Sequence, residues 1–186
     1  MSHPLRFLVL GGVIVVLTGC SDTAPTAPAQ VGIAAVPAPM VIGQARGKPT
    51  RSPLPAEGFE TPPGVLCSFG VLNEILVNNQ VNKTFPPKPN GDIVQLATGN
   101  FVVQFTNTST GKSITVNMSG PGRFTIHPDG SATLVATGRW FLGLIENAPF
   151  TAFISSGRVV VSFAPDAPAT LVSQSGRVED LCALLS

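Results

Sequence analysis

From Val65 onward the chain is a succession of short apolar runs in which every second residue is polar. Phe101, Val103 and Phe105 alternate with Val102, Gln104 and Thr106; Ile114, Val116 and Met118 alternate with Ser113, Thr115 and Asn117; Phe124 and Ile126 alternate with Arg123, Thr125 and His127. A period of two marks half-buried β-strands. Trp140 to Ile145, Phe150 to Ile154 and Val159 to Phe163 are apolar on both faces at places, which predicts strands covered on both sides or facing a partner. Turn markers punctuate the series at Asn90-Gly91, Gly99, Gly111, Gly120 to Gly122, Asp129-Gly130, Gly138, Asn147 to Pro149, Gly157, Pro165 to Pro168 and Gly176. Their spacing leaves no room for a crossover helix, so neighbouring strands are expected to pair antiparallel. The pattern predicts an all-β fold. Its simplest topology is a meander closing into an up-and-down barrel of about eight to ten strands, with a β-sandwich as the alternative. The segment Gly176 to Leu185 reads either as a last strand or as a short helical turn.

The N-terminal pattern is different. Phe7 to Leu17 is apolar throughout apart from Gly11 and Gly12, follows Arg6, and runs through Thr18 and Gly19 into Cys20. It is too short to span a bilayer, which takes about 20 residues, and has the layout of a signal peptide. Leu17-Thr18-Gly19-Cys20 resembles the lipobox of bacterial lipoproteins, which implies cleavage before Cys20 and diacylglycerol on its sulfur. Two acyl chains make a stable anchor where one is marginal. Ser21 to Gly64 is rich in proline and alanine, as in Ala24-Pro25-Thr26-Ala27-Pro28 and Val36-Pro37-Ala38-Pro39. Proline removes donors and fixes φ, so this stretch reads as an extended spacer. The expected organisation is signal peptide 1–19, tether 20–64 and one β domain 65–186. The expected location is the extracytoplasmic side of a bacterial cell envelope.

Composition narrows the function classes. From Val65 onward seven acidic residues face seven basic ones, so the domain lacks the basic excess of a nucleic-acid binder. Apart from Cys20, the cysteines are Cys67 and Cys182, near the two ends of the domain. An even pair in an exported protein reads as a disulfide, with two unrelated buried thiols as the alternative.

Candidate chemistry is sparse. In a meander, Arg123, Arg139, Arg158 and Arg177, each following a glycine, would gather at one end of the sheet as a rim for an anionic ligand; alternatively each merely opens an outgoing strand. Phe101, Phe105, Phe124, Trp140 and Phe153 are candidates for the lining of an apolar ligand chamber inside a barrel. His127 is the one histidine outside the signal, so no metal site is expected, nor any cofactor. Gly111-Lys112-Ser113 imitates the end of a phosphate-binding loop, but Thr106 stands where the first glycine is required. No Gly-x-Ser-x-Gly elbow occurs, no catalytic residue is assigned, and Glu74 and Glu146 are the only carboxylates flanked by apolar segments.

The run Thr106 to Ser113, then Ser119-Gly120-Pro121-Gly122, Pro128-Asp129-Gly130-Ser131, Ala136-Thr137-Gly138-Arg139-Trp140 and Asp180-Leu181-Cys182-Ala183-Leu184 resembles a group of small exported actinobacterial proteins of uncharacterised function. The resemblance covers roughly Cys67 to the end and implies an exported domain with paired end cysteines. The reading that follows is a lipid-anchored, non-enzymatic binding module for a protein or envelope component, with the membrane reached through the anchor. A lipocalin-like carrier of an apolar ligand is the alternative, and a hydrolase the least supported.

Overall fold

The structure, a computed structural model, describes residues 47–186. The signal segment, Cys20 and the tether up to residue 46 lie outside the described residues. The chain is all-β, with eleven strands and one helix among the described residues. In chain order these are β1 (Thr50–Pro53), β2 (Phe59–Thr61), β3 (Val71–Asn78), β4 (Val81–Thr84), β5 (Ile93–Thr98), β6 (Phe101–Asn107), β7 (Ser113–Asn117), β8 (Gly122–Ile126), β9 (Ala132–Gly143), β10 (Ala152–Phe163), β11 (Thr170–Asp180) and α1 (Leu181–Leu185). The first two strands fall inside the stretch whose composition reads as tether. Pro53 is tolerated because β1 is an edge strand, paired only to β4.

The expected closed barrel is not what forms. The strands make two antiparallel sheets, one ordered β1-β4-β5-β8-β9-β10-β11 and the other β2-β3-β6-β7. Only β8 to β11 run as a meander. Earlier, the chain crosses from one sheet to the other and back, and β3 passes into β4, and β5 into β6, through joints of two residues. At these joints Asn79 N–H donates to the Asn100 carbonyl at 2.8 Å, and the Asn78 side chain donates to Leu54 O at 2.9 Å while accepting from Gln80 N–H at 3.1 Å. The backbone groups freed by turning a corner are thereby satisfied.

The three longest strands owe their length to glycines that do not turn. Gly138, Gly157 and Gly176 stand in register across β9, β10 and β11. Gly138 and Gly176 take φ of 90° and 93°, in the region that favours glycine. A Cβ on Gly157 would lie 2.1 Å from the Ser175 carbonyl oxygen. The glycine row thus lets three backbones approach closely within continuous strands. Gly138 lies inside one long strand and not at the turn expected there.

The interior is divided in two. Val71, Val103, Phe105 and Val116 of the smaller sheet pack with Ala152 and Ile154 of β10 and with Leu181 and Leu185 of α1. The Phe105 and Phe141 rings lie 4.9 Å apart within this cluster. A second cluster holds Leu134, Ala136, Leu142, Phe153, Val159 and Val161, closed over by Ile145 and Ala169. Phe153 and Ile154 are adjacent in sequence yet belong to different clusters, so β10 is covered on both faces. The Cys67–Cys182 disulfide, 115 residues apart in sequence, fastens α1 to the loop before β3. Asp180 caps that helix by accepting from Cys182 N–H at 2.8 Å. The last segment is therefore both a strand and a helical turn.

Candidate functional site

Register, not sequence proximity, assembles the most suggestive surface. Arg51 pairs with Lys83, Lys83 with Leu96, Leu96 with Arg123, Arg123 with Val135 and Val135 with Val160. Residues in register across an antiparallel sheet share a face, so these six form one cross-strand row. The opposite face of β8 to β10 carries the cluster containing Leu134, Phe153 and Val159. Beside the row lies a groove of about 500 Å³, open to solvent and lined by Phe85, Pro86, Lys88, Val94, Leu96 and Arg123. Its floor is apolar and its charged residues are both cations.

The segment after β4 shapes this groove. Phe85 N–H donates to Val94 O at 2.9 Å, and Lys88 N–H donates to Asp92 O at 2.8 Å. Proline at 86 and 87 leaves the two positions between these bonds without an N–H to donate. Lys83 Nζ sits 4.9 Å from the centre of the Phe85 ring, a cation–π contact. Lys88 is paired with Asp92 at 3.8 Å. Among the described residues, no carboxylate lies within ion-pairing distance of Arg51, Lys83 or Arg123.

One end of the groove is fixed by a polar network. Asp92 accepts from Asn90 Nδ2 at 2.9 Å, and its other oxygen meets His127 Nδ1, also at 2.9 Å. The Asn90 hydrogen bond, followed by that from His127, holds the Asp92 carboxyl below the usual carboxylate value of 3.8. His127 Nε2 lies 3.4 Å from Thr133 Oγ1. The order hydroxyl, imidazole, carboxylate is that of a nucleophilic relay, but this outer contact is long for a hydrogen bond between these groups. What the network demonstrably does is tie the turn before β5 to the end of β8.

The residues singled out from sequence fall into separate groups. Arg139 and Arg177 both stand in register with Ser156, at mid-strand, and both reach Glu179, at 3.5 and 3.0 Å. Arg158 is exposed beyond the glycine row, opposite Thr137 and Ser175. Arg123 alone of the four lines the groove. Arg139, Arg158 and Arg177 stand beside the glycine row at mid-strand rather than at a rim of turns, because the glycines before them lie within strands. The aromatic candidates likewise do not share a chamber: Phe101 and Phe105 belong with the first cluster, Phe124, Trp140 and Phe153 with the second. Phe105 and Phe153 are fully buried among core side chains. Gly111 closes the turn between β6 and β7, its N–H donating to Asn107 O at 2.8 Å, and no helix follows it. Among the described residues no three His, Cys, Asp or Glu side chains converge on one point, and no helix is long and apolar enough to cross a membrane.

Sequence reasoning passed over Arg51, Lys83, Phe85, Leu96 and the Asp92–His127 pair. The only local signal was Lys83-Thr84-Phe85-Pro86, a cation and an aromatic spaced to share a strand face just before a proline break. The pairing of β5 with β8 leaves no trace in local spacing. Searches for similar proteins find no matching family model, curated protein or solved structure.

Proposed function

We propose that this chain is a lipid-anchored extracytoplasmic lipoprotein whose β domain is a non-enzymatic binding module, with the Leu96 groove as its recognition site. The observation that carries the second half is the contrast between filled cores and an open apolar groove beside unpaired cations. Isolated apolar residues on a surface are ordinary, whereas an apolar concavity with a few convergent polar groups is the usual form of a ligand site. The signal-like segment, the Leu17-Thr18-Gly19-Cys20 pattern and the resemblance to small exported actinobacterial proteins support the anchor and the location. A disulfide between the domain's ends suits an oxidising compartment. The carrier reading moves accordingly from a barrel interior to this surface groove.

Native mass spectrometry on the exported full chain carrying Cys20→Ala, incubated with a bacterial lipid extract, tests the site. A discrete added mass on this chain, reduced at least tenfold when Leu96→Glu is added, is the expected result. An added mass that survives Leu96→Glu undiminished contradicts the assignment of the groove.

A further inference from the structure

The two ends of the groove differ in charge, and the difference specifies a ligand class. Asp92, just before β5, and Val94 and Leu96 within it are alternate residues spanning about 13 Å; Asp92 and Val94 are buried, Val94 at the base of the groove, and Leu96 is half-buried. At the Asp92 end the cation Lys88 is already neutralised by Asp92 at 3.8 Å, and Asp92 is held by Asn90 and His127 as well. At the Leu96 end the neighbours in register are Lys83 on one side and Arg123 on the other. Neither has a carboxylate partner among the described residues. The strands that carry them flank β5 and so lie about 10 Å apart, a gap that two long cationic side chains close readily around one anion. Arg51 extends the positive row by one more strand.

Resting on the reading of this groove as the recognition site, we infer that it takes a single-chain amphiphile with an anionic head: the head lies between Lys83 and Arg123, and the alkyl chain runs over Leu96 and Val94 toward Phe85 and Pro86. Arginine offers paired N–H donors to a phosphate or carboxylate, and lysine a point charge. The apolar floor supplies what an inorganic anion cannot use, and the cations supply what a neutral amphiphile cannot use. A concave floor bounded by the Phe85–Pro86 wall suits one chain better than the plane of a bilayer. The paired Lys88–Asp92 end carries no net charge and leaves the chain's far end without an anchor for a second head.

The exported full chain with Cys20→Ala is titrated calorimetrically with dodecyl phosphate below its micellar concentration, and in parallel with butyl phosphate, dodecyl maltoside and inorganic phosphate. Dodecyl phosphate is expected to bind at one equivalent, at least tenfold tighter than each of the other three. Arg123→Gln and Lys83→Gln should each weaken it by about tenfold while leaving the circular dichroism spectrum and melting temperature unchanged. Equal affinity for dodecyl maltoside would overturn the anionic-head inference and leave the groove standing as a site for alkyl chains. Loss of selectivity for chain length, with butyl phosphate and inorganic phosphate binding as well as dodecyl phosphate, would overturn the amphiphile in favour of a simple anion. If dodecyl phosphate binds but is indifferent to both substitutions and to Leu96→Glu, the groove itself is refuted. Co-sedimentation with phosphatidylglycerol vesicles in the absence of any binding to dodecyl phosphate would replace the single-chain ligand with a bilayer surface.

Discussion

Trp140 shows how closely single residues are fitted here. A Cβ placed on Gly122 would lie 2.5 and 2.6 Å from two atoms of the Trp140 ring. A rigid indole within a packed cluster cannot swing aside as a surface side chain would. Gly122→Ala is therefore expected to cost about 1–3 kcal/mol by overpacking, seen as a lower midpoint in urea denaturation with unchanged slope. Asp92 gives a pH prediction with a definite sign. Its folded-state pKa lies below the ordinary value of 3.8, so its contribution to stability is complete above that value and is lost as pH falls through the lowered one. Thermal melts between about pH 5 and pH 2 should show a fall in wild-type melting temperature that is shallower in Asp92→Asn. Equal slopes would show that the Asn90–Asp92–His127 network does not carry this dependence.

At the level of elements, alternation identified β6, β7 and β8 almost to the residue, because each has one face on a core and one toward solvent. The same reasoning split β9, β10 and β11 at Gly138, Gly157 and Gly176, since a lone glycine in a strand pattern has the same local signature whether it turns the chain or admits a neighbouring backbone. It also passed over β1 and β2, short strands in a proline-rich stretch whose pairing is decided by β4 and β3 rather than by their own composition. Gly157→Ala distinguishes the two roles of glycine. In a solvent-facing turn the change would be mild, whereas in this row the new Cβ meets the Ser175 carbonyl, so destabilisation beyond about 2 kcal/mol is expected. The disulfide acts on the elements at both ends of the domain. Replacing Cys67 and Cys182 together by serine should cost about 2–5 kcal/mol, with α1 and the 62–69 loop losing amide protection in hydrogen exchange before the β9–β10 ladder does.

For the whole molecule, the sequence was informative about class and disulfide and silent about the site. Paired cysteines near the two ends of a domain read readily as a disulfide. The groove, in contrast, joins residues from the segment after β4, from β5 and from β8, and the last two pair only because the chain leaves for the other sheet between them. The anchor is tested separately: metabolic labelling with an alkyne fatty acid should mark the wild-type chain and leave Cys20→Ala unmarked, whereas equal labelling of both would remove Cys20 from the account.

The central claim is that recognition takes place on the open face of the larger sheet and not within either core. Amide chemical shifts of the isotope-labelled, exported full chain with Cys20→Ala, followed during titration with dodecyl phosphate, address it residue by residue. The account predicts saturable shifts centred on Lys83, Phe85, Val94, Leu96 and Arg123, with Phe105 and Phe153 unmoved. Shifts centred instead on Phe153, Val159 and Val161 would contradict it and return the ligand to the interior.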